Sequence, residues 1–273
     1  MHAMLNPEAV TAVLNYLDVK LKPSSPNIQL LDQLIQAYIR KVPWESAFRV
    51  ARRARIANTK DCPRWPNIFW HEALTMGAGG TCFESNYAFF SLLNALGFDG
   101  YLTINNMGES VGCHTAIIIL LTGQKWLVDV GLPIHAPIRL SPRGTVYRAT
   151  PFMNYCAWPD GAQRFQIERW PHPQRNAFTL IDKSVTEAAY RMATTADYEP
   201  TGYFLERVIV NKIVAERPFR FNSTDRPYRF ESFHDGKRFE HSIEGDVATA
   251  VATKFSMDLQ TIRAAFKSVD KLR

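Results

Sequence analysis

The sequence lacks the closely spaced cysteine pairs that zinc sites and redox dithiols use. Its four cysteines, Cys62, Cys82, Cys113 and Cys156, are widely scattered. We therefore expect neither a disulfide framework nor a bound metal ion. Each cysteine is then either a small buried hydrophobe or a reactive thiol.

Long apolar runs are also missing. The longest uninterrupted run, from Ala116 to Leu121, is far shorter than the roughly 18 residues that suggest a membrane span. The chain does not open on a basic segment followed by an apolar stretch and a cleavage site. We expect a soluble, cytoplasmic protein without a membrane partner.

Positive charge is in excess, but the pattern typical of a nucleic-acid-binding protein is absent. The formal net charge of +6 allows anionic partners. The densest basic stretch, Arg49 to Lys60, has no neighbouring aromatic platform, which favours a solvated face and no nucleic-acid partner. A second basic group alternates with aromatic residues, which favours a strand with one wet face over a phosphate site. Its members are Arg217, Arg220, Arg226, Arg229 and Lys237. No cofactor-binding residue is assigned there.

The spacing of the apolar residues changes along the chain, and 46% of its 273 residues are hydrophobic, enough for a sizeable core. Helical spacing from Pro7 to Val42 predicts a helical opening. Short β-branched and aromatic runs after Gly97 predict a small sheet or barrel, with a hairpin turn at Thr122-Gly123. A helical pattern over Asp182 to Thr194 and a final helix over Gly245 to Phe266 belong to a mixed closing region.

Cys82 stands where a helix is predicted to begin. The segment 79–84, Gly-Gly-Thr-Cys-Phe-Glu, places a thiol in the first turn of a helix that follows two glycines. Thr81 and Glu84 fit a capping box. The free backbone amides and positive end of such a helix favour the thiolate, which is the nucleophilic form. The segment alone fits a buried structural cysteine equally well.

His114 and Asp129 supply the remaining roles of a catalytic triad. His114 precedes a continuous apolar run, Thr115 to Leu121, whose composition predicts a strand buried on both faces. Asp129 lies within the apolar stretch 126–130, where a carboxylate is costly unless it is paired. We predict that His114 takes the Cys82 proton and that Asp129 orients the imidazole. The other histidines are interpreted as structural or exposed.

These residues resemble the arylamine N-acetyltransferases. The resemblance rests on 42–45 (Val-Pro-Trp-Glu), on 79–86 (Gly-Gly-Thr-Cys-Phe-Glu-Ser-Asn), on 96–98 (Leu-Gly-Phe), on His114 and on 126–131 (Trp-Leu-Val-Asp-Val-Gly). It covers roughly residues 7–140, and the carboxy-terminal half matches only loosely.

The resemblance implies an α+β fold with a cysteine-protease or transglutaminase-like core. Its parts would be a helical bundle over 1–97 carrying Cys82, a small antiparallel β-barrel over 98–195 carrying His114 and Asp129, and an α/β lid over 196–273. It also implies ping-pong transfer of an acetyl group from acetyl-CoA, through a Cys82 thioester, to a small aromatic amine or hydrazine. Gly131 and Leu132 would line the acceptor pocket.

Three positions depart from the family pattern. Ala78 stands where the family usually has an arginine four residues before the cysteine, and that charge normally ties down the loop. Leu132 and Pro133 stand where the family usually continues with Phe-Gly, so an aromatic wall is lost and the turn is stiffened. The predicted triad is untouched.

Other readings of the same residues stay open. An amide synthase with another acyl donor would share the triad and differ in the pocket wall. A cysteine hydrolase of the transglutaminase or papain type would turn over without an amine. A binding protein that kept the fold and lost the activity would leave Cys82 unmodified by excess acetyl-CoA.

Overall fold

A computed structural model of the chain describes residues 5–20 and 25–271. Within these residues the helices are α1 (Pro7–Leu17), α2 (Ile28–Lys41), α3 (Ala47–Arg55), α4 (Pro66–Met76), α5 (Cys82–Ala95), α6 (Glu187–Ala196), α7 (Val247–Phe255) and α8 (Leu259–Asp270). The strands are β1 (Trp44–Glu45), β2 (Asp99–Met107), β3 (Ser110–Leu121), β4 (Gln124–Val128), β5 (Ile138–Leu140), β6 (Val146–Ala149), β7 (Asn154–Pro159), β8 (Arg164–Trp170), β9 (Asn176–Ile181), β10 (Ile209–Val214), β11 (Arg217–Asn222), β12 (Arg229–His234) and β13 (Lys237–Ser242).

The amino-terminal helices pack around α5. Asn6 and Asn27 start α1 and α2, because each side chain accepts a hydrogen bond from a backbone amide of the first turn. All of α5 from Cys82 to Leu93 is buried, and its apolar residues pack with the apolar face of α2 in one hydrophobic cluster. A helix held on every side is a rigid support for the side chain at its first position.

The central sheet has the strand order β5-β4-β3-β2-β9-β8-β7-β6. It nearly closes into a barrel, because β5 also lies beside β6 and β7. Strand β3 is buried on both faces as predicted up to Ile119: Ile117 and Ile119 join the core around α5, while Ala116 and Ile118 join the barrel interior. Leu120, near the end of the predicted run, is exposed. The predicted hairpin between β3 and β4 is confirmed by positive φ angles at Thr122 (49°) and Gly123 (73°).

A second sheet, of order β1-β10-β11-β12-β13, carries α7 and α8. Its first strand comes from the amino-terminal half, since Trp44 pairs with Asn211 and Glu45 with Val210. Helix α3 packs against α8. The α+β class with helices, barrel-like sheet and mixed carboxy-terminal region is confirmed, while the boundaries after residues 97 and 195 stay predictions.

The carboxy-terminal helix is two helices, and the prediction of one helix over Gly245 to Phe266 was wrong. Ser256 adopts a left-handed conformation (φ 58°) and ends α7, and the side chain of Asp258 accepts a hydrogen bond from the Thr261 amide to start α8. The break lets α7 and α8 pack on each other around one core. Apolar spacing continues across the turn, which is why periodicity alone did not reveal it.

The basic stretch from Arg49 to Lys60 is not simply a solvated face. Arg49 is fully buried and forms an ion pair with Asp197 at 2.9 Å. Its guanidinium also lies over the Tyr198 ring, 4.1 Å from the centroid. The Arg49 charge is paired with a residue far along the chain, and a local sequence pattern cannot reveal such a partner.

No helix of the described residues has the length and apolarity needed to cross a membrane.

Candidate active site

Cys82 is the first residue of α5 and is 8% exposed. Its sulfur lies 3.7 Å from the carbonyl oxygen of Cys113 on β3. Thr115 on the same strand donates its hydroxyl to the carbonyl of Cys82 at 3.0 Å. The bundle and the barrel therefore meet at the thiol, which keeps a small accessible surface.

The predicted capping box at the start of α5 is not formed. Thr81 occupies the capping position, but its hydroxyl makes no hydrogen bond to the helix, and Glu84 binds the Arg64 guanidinium instead. An ion pair with a buried guanidinium is stronger than a reciprocal cap. The first-turn amides beside Cys82 thus keep their favourable field for a thiolate.

His114 and Asp129 are held together in the interior. His114 lies within β3, which begins at Ser110 and not at Thr115 as the composition suggested. Asp129 directly follows β4, and its Oδ2 lies 2.7 Å from His114 Nε2. His114 is 2% exposed and Asp129 is fully buried. This contact occupies Nε2, so a hydrogen bond between the ring and the Cys82 thiol would have to use Nδ1.

The environment of His114 strongly favours its protonated form. Burial alone would lower the pKa of the imidazole, but the charge and hydrogen bond of Asp129 outweigh it, and a hydrogen bond with Cys82 adds to their effect. Together they raise the pKa of His114 from 6.5 to about 10. At neutral pH the ring is therefore held as the imidazolium.

Asn86 is a residue that the sequence interpretation left without a role. One turn after Cys82, its amide donates to Asp129 Oδ1 at 3.0 Å and to the Thr115 carbonyl at 2.7 Å, and its oxygen accepts from the Val130 amide at 3.0 Å. It therefore joins the helix that carries the thiol to the loop that carries the carboxylate. Its position in the 79–86 segment was the only available signal.

The loop after Asp129 lies directly against the thiol. A Cβ at Gly131 would lie 2.7 Å from Asn86 Nδ2 and 2.8 Å from the Cys82 Cβ. The amides of Gly131 and Leu132 both donate to Asp129 Oδ1 at 2.9 Å. Leu132 is partly buried and packs on the barrel core. The absence of a side chain at Gly131 is what allows this close approach.

A cavity of about 90 Å³ opens between the bundle, this loop and the second sheet. Trp44, Val130, Pro133 and His135 line it. Burial, and then the charge of Arg40, lower the pKa of His135 to about 4, and its Nδ1 has no hydrogen-bond partner within the described residues. The lining is mainly apolar and also includes the basic side chains Lys212 and Arg220, whereas Cys82, Gly131 and Leu132 are not part of it.

Two of the basic residues near the carboxy-terminal end face carboxylates of their own sheet. Arg220 pairs with Glu231 at 2.6 Å and Arg229 with Glu240 at 3.4 Å. Within residues 5–20 and 25–271, no group of His, Cys, Asp and Glu side chains is arranged to hold a metal ion.

The raised pKa of His114 predicts a pH-dependent stability. A group whose pKa rises on folding stabilises the folded state fully below its unfolded value and loses that contribution as the pH passes its folded value. Replacement His114→Gln should therefore cost a few kcal/mol of unfolding free energy at pH 6, and the cost should shrink towards pH 10. Urea unfolding at several pH values measures it. His71→Gln serves as the control, because His71 is exposed. A loss of unfolding free energy in His114→Gln that is the same at every pH would contradict the prediction.

Comparison with known proteins places this arrangement in a family. A family model described as N-acetyltransferase matches residues 27–263. The chain belongs to the arylamine N-acetyltransferase family. The match extends far beyond residues 7–140, so the loosely matching carboxy-terminal half is part of the same family fold.

Solved structures of this family share the fold at low sequence identity. The arylamine N-acetyltransferase of Mycobacterium abscessus is 19% identical with a TM-score of 0.79, covering 96% of this chain and 94% of that one. The Salmonella typhimurium protein is 16% identical with a TM-score of 0.80, covering 97% and 99%. The Mycobacterium marinum protein, in complex with CoA, is 15% identical with a TM-score of 0.78, covering 96% and 98%.

A curated relative resembles one part of the chain. An uncharacterized acetyltransferase of Acanthamoeba polyphaga mimivirus is 30% identical over 111 residues, which are 38% of this chain. The chain thus spans about half, 51%, of the length of that relative.

Proposed function

We propose that this N-acetyltransferase family member moves an acetyl group from acetyl-CoA to a small aromatic amine or hydrazine through a thioester on Cys82. The observation that carries the proposal is the pairing of buried His114 with Asp129 at 2.7 Å beside a thiol at a helix start. Cys82 would be the nucleophile, His114 the base and acid, and Asp129 the orienting group. A cytoplasmic location stays a prediction.

The first half-reaction forms the thioester. The Cys82 sulfur, its proton held by His114, attacks the acetyl carbonyl carbon. The carbon–sulfur bond to CoA then breaks, and the CoA sulfur leaves with the proton from the imidazolium. The CoA in the related M. marinum structure supports acetyl-CoA as the donor.

The second half-reaction transfers the acetyl group. The amine nitrogen attacks the thioester carbonyl and gives its proton to His114, and the Cys82 sulfur leaves. The acceptor would lie against Gly131 and Leu132. The neighbouring cavity lined by Trp44, Val130 and Pro133 does not include Cys82 in its lining, but its mainly apolar walls support an acceptor with an apolar body.

The direct test is the intact mass of the protein after incubation with acetyl-CoA. We expect an acetyl increment on the wild-type chain and none on Cys82→Ala, and we expect an arylamine or hydrazine to remove it with formation of the acetylated amine. Cys156→Ala is a matched control, because Cys156 is a buried cysteine of the barrel that lies on β7. This control should acquire the increment normally.

Other outcomes would replace the proposal. An increment that disappears in water as fast as with amine indicates a cysteine hydrolase. An increment that appears only with other acyl thioesters indicates an amide synthase with another donor. A wild-type chain that no acyl thioester modifies would indicate a binding protein that kept the fold.

A further inference from the structure

A buried cluster of charged side chains lies beside Gly79 and Gly80, the two glycines that precede Thr81 and Cys82. Its centre is Arg64, which is 1% exposed and comes from the loop before α4. The guanidinium Nε lies 3.1 Å from Glu84 Oε2, where Nη2 also binds, and Nη1 lies 3.3 Å from Glu72 Oε2. The Arg64 amide donates to the other Glu84 oxygen at 2.9 Å. Glu84 belongs to the first turn of α5, two residues after the thiol.

The same cluster holds the glycines themselves. Glu45 is fully buried, lies 3.9 Å from the Arg64 guanidinium and accepts a hydrogen bond from the Gly79 amide at 3.2 Å. The guanidinium packs against Gly80, where an added Cβ would lie 3.1 Å from Arg64 Nη2. Arg64 thus contacts Gly80 directly. It is also connected to Gly79 through Glu45 and to the first turn of α5 through Glu84.

Charge balance requires the guanidinium. Burial alone would raise the pKa of Glu84, but the charge and hydrogen bonds of Arg64 outweigh it and lower the pKa. Burial raises the pKa of Glu45 despite Arg64. Glu84 is therefore the ionised partner, and without Arg64 its charge would be buried without an opposite charge in contact.

Position 78 serves a different purpose in this chain. Ala78 is fully buried and belongs to the hydrophobic cluster of α7 and α8, which includes Phe255 and Met257. The neighbouring Gly77 touches the turn between those helices, since a Cβ there would overlap the Ser256 carbonyl. The arginine that this position lacks would thus be in the apolar packing of the carboxy-terminal helices.

We infer that Arg64 supplies, from a different segment, the cation that is missing at Ala78, and that it is a positioning residue for Cys82. It acts through Glu84, which holds the first turn of α5, and through Glu45, which holds the Gly79–Gly80 segment. The inference rests on the proposed function only in assigning Cys82 as the nucleophile. It explains why the departure at Ala78 leaves the site intact.

The test follows the reactivity of Cys82 without any acyl donor. Alkylation by iodoacetamide is measured from pH 6 to 9 and quantified on the Cys82 peptide, so that the other cysteines do not contribute. In Arg64→Met we expect alkylation at neutral pH to be roughly 10- to 100-fold slower, because the thiol is no longer held beside His114. Half-maximal alkylation should require a higher pH. Arg64→Lys should recover part of the rate, since it keeps the charge and loses the two-pronged contact.

Lys125→Met is the control. Lys125 pairs with the buried carboxylate of Asp182 on the barrel at 2.7 Å and makes no contact with Glu84 or Glu45 among the described residues. It should lower the thermal unfolding midpoint while Cys82 alkylates close to the wild-type rate. If Arg64→Met does not fold, Arg64→Met/Glu84→Gln removes both charges of the pair and should alkylate as slowly as predicted for the single variant.

Folded Arg64 variants that alkylate like the wild type at every pH would overturn the inference. So would a Lys125→Met chain that is slowed equally, since that would make the effect one of general stability. Iodoacetamide requires no acetyl-CoA. A chain that fails to accept acetyl groups therefore refutes the proposed function and leaves this test intact.

Discussion

Replacement of Asp129 by asparagine is expected to lower the rate of Cys82 acylation by about 10⁴-fold, the loss that this change causes in a Ser-His-Asp triad. The structure dictates which way the new amide would face. Oδ1 of Asp129 accepts from Asn86, Gly131 and Leu132 at 2.9–3.0 Å. The asparagine oxygen must keep those three donors, so its NH₂ group would face His114 Nε2 and donate to it.

That donation forces the wrong tautomer on His114. With Nε2 accepting a hydrogen bond, the neutral ring carries its proton on Nδ1 and cannot take one from Cys82. The loss of the carboxylate charge also removes the main influence that raises the pKa of His114. Acylation and iodoacetamide alkylation at pH 7 should therefore both fall steeply while the fold is retained.

Stopped-flow acylation with acetyl-CoA and alkylation of the Cys82 peptide measure the effect. Asp182→Asn is the control: Asp182 is another buried acid, bound to Tyr101 at 2.6 Å and Lys125 at 2.7 Å on the barrel. It should leave both rates unchanged. An Asp129→Asn chain that reacts within tenfold of the wild type would show that Asp129 does not set the state of His114.

Replacement of Gly131 by alanine is expected to slow acylation by about 100-fold, the typical result of moving reacting groups by about 1 Å. A Cβ at this position would overlap the Cys82 backbone and lie 2.7 Å from Asn86 Nδ2. Neither neighbour can retreat, because both belong to the fully packed helix α5. The loop from Asp129 to Leu132 must shift instead, and the carboxylate shifts with it.

Such overpacking should also cost about 1–3 kcal/mol of unfolding free energy. Gly144→Ala is the matched control, because a Cβ there meets nothing within 4 Å. Urea unfolding and acylation rates are compared for both variants. Equal rates for Gly131→Ala and the wild type would show that the loop adapts without moving Asp129.

Several parts of the site follow from local residue patterns. The pattern of residues 79–84 predicted a helix with a thiol in its first turn, and α5 begins at Cys82. A carboxylate within the apolar stretch 126–130 predicted a buried partner, and His114 is that partner. In each case the signal is local, because secondary-structure period and the cost of burying a charge are both readable from neighbouring residues.

Other parts depend on contacts between distant segments. Arg64 reaches Glu84, Arg49 reaches Asp197, and Asn86 reaches the loop after Asp129. No spacing rule links these positions, because the distance between them is set by how helices and strands pack. The same is true of Thr81, whose predicted capping box is lost when Glu84 binds elsewhere.

The sequence by itself determined which chemistry this chain can carry: a thiol at a helix start, an imidazole and a carboxylate, in segments that resemble one enzyme family. Only the tertiary structure decided how these groups are held. It brought β3 and the loop after β4 onto the first turn of α5, and it placed the charge of Arg64 beneath a loop whose own arginine is absent. The physical reason is that buried charges are stabilised by whichever opposite charge the packed fold brings within reach, irrespective of its position in the chain.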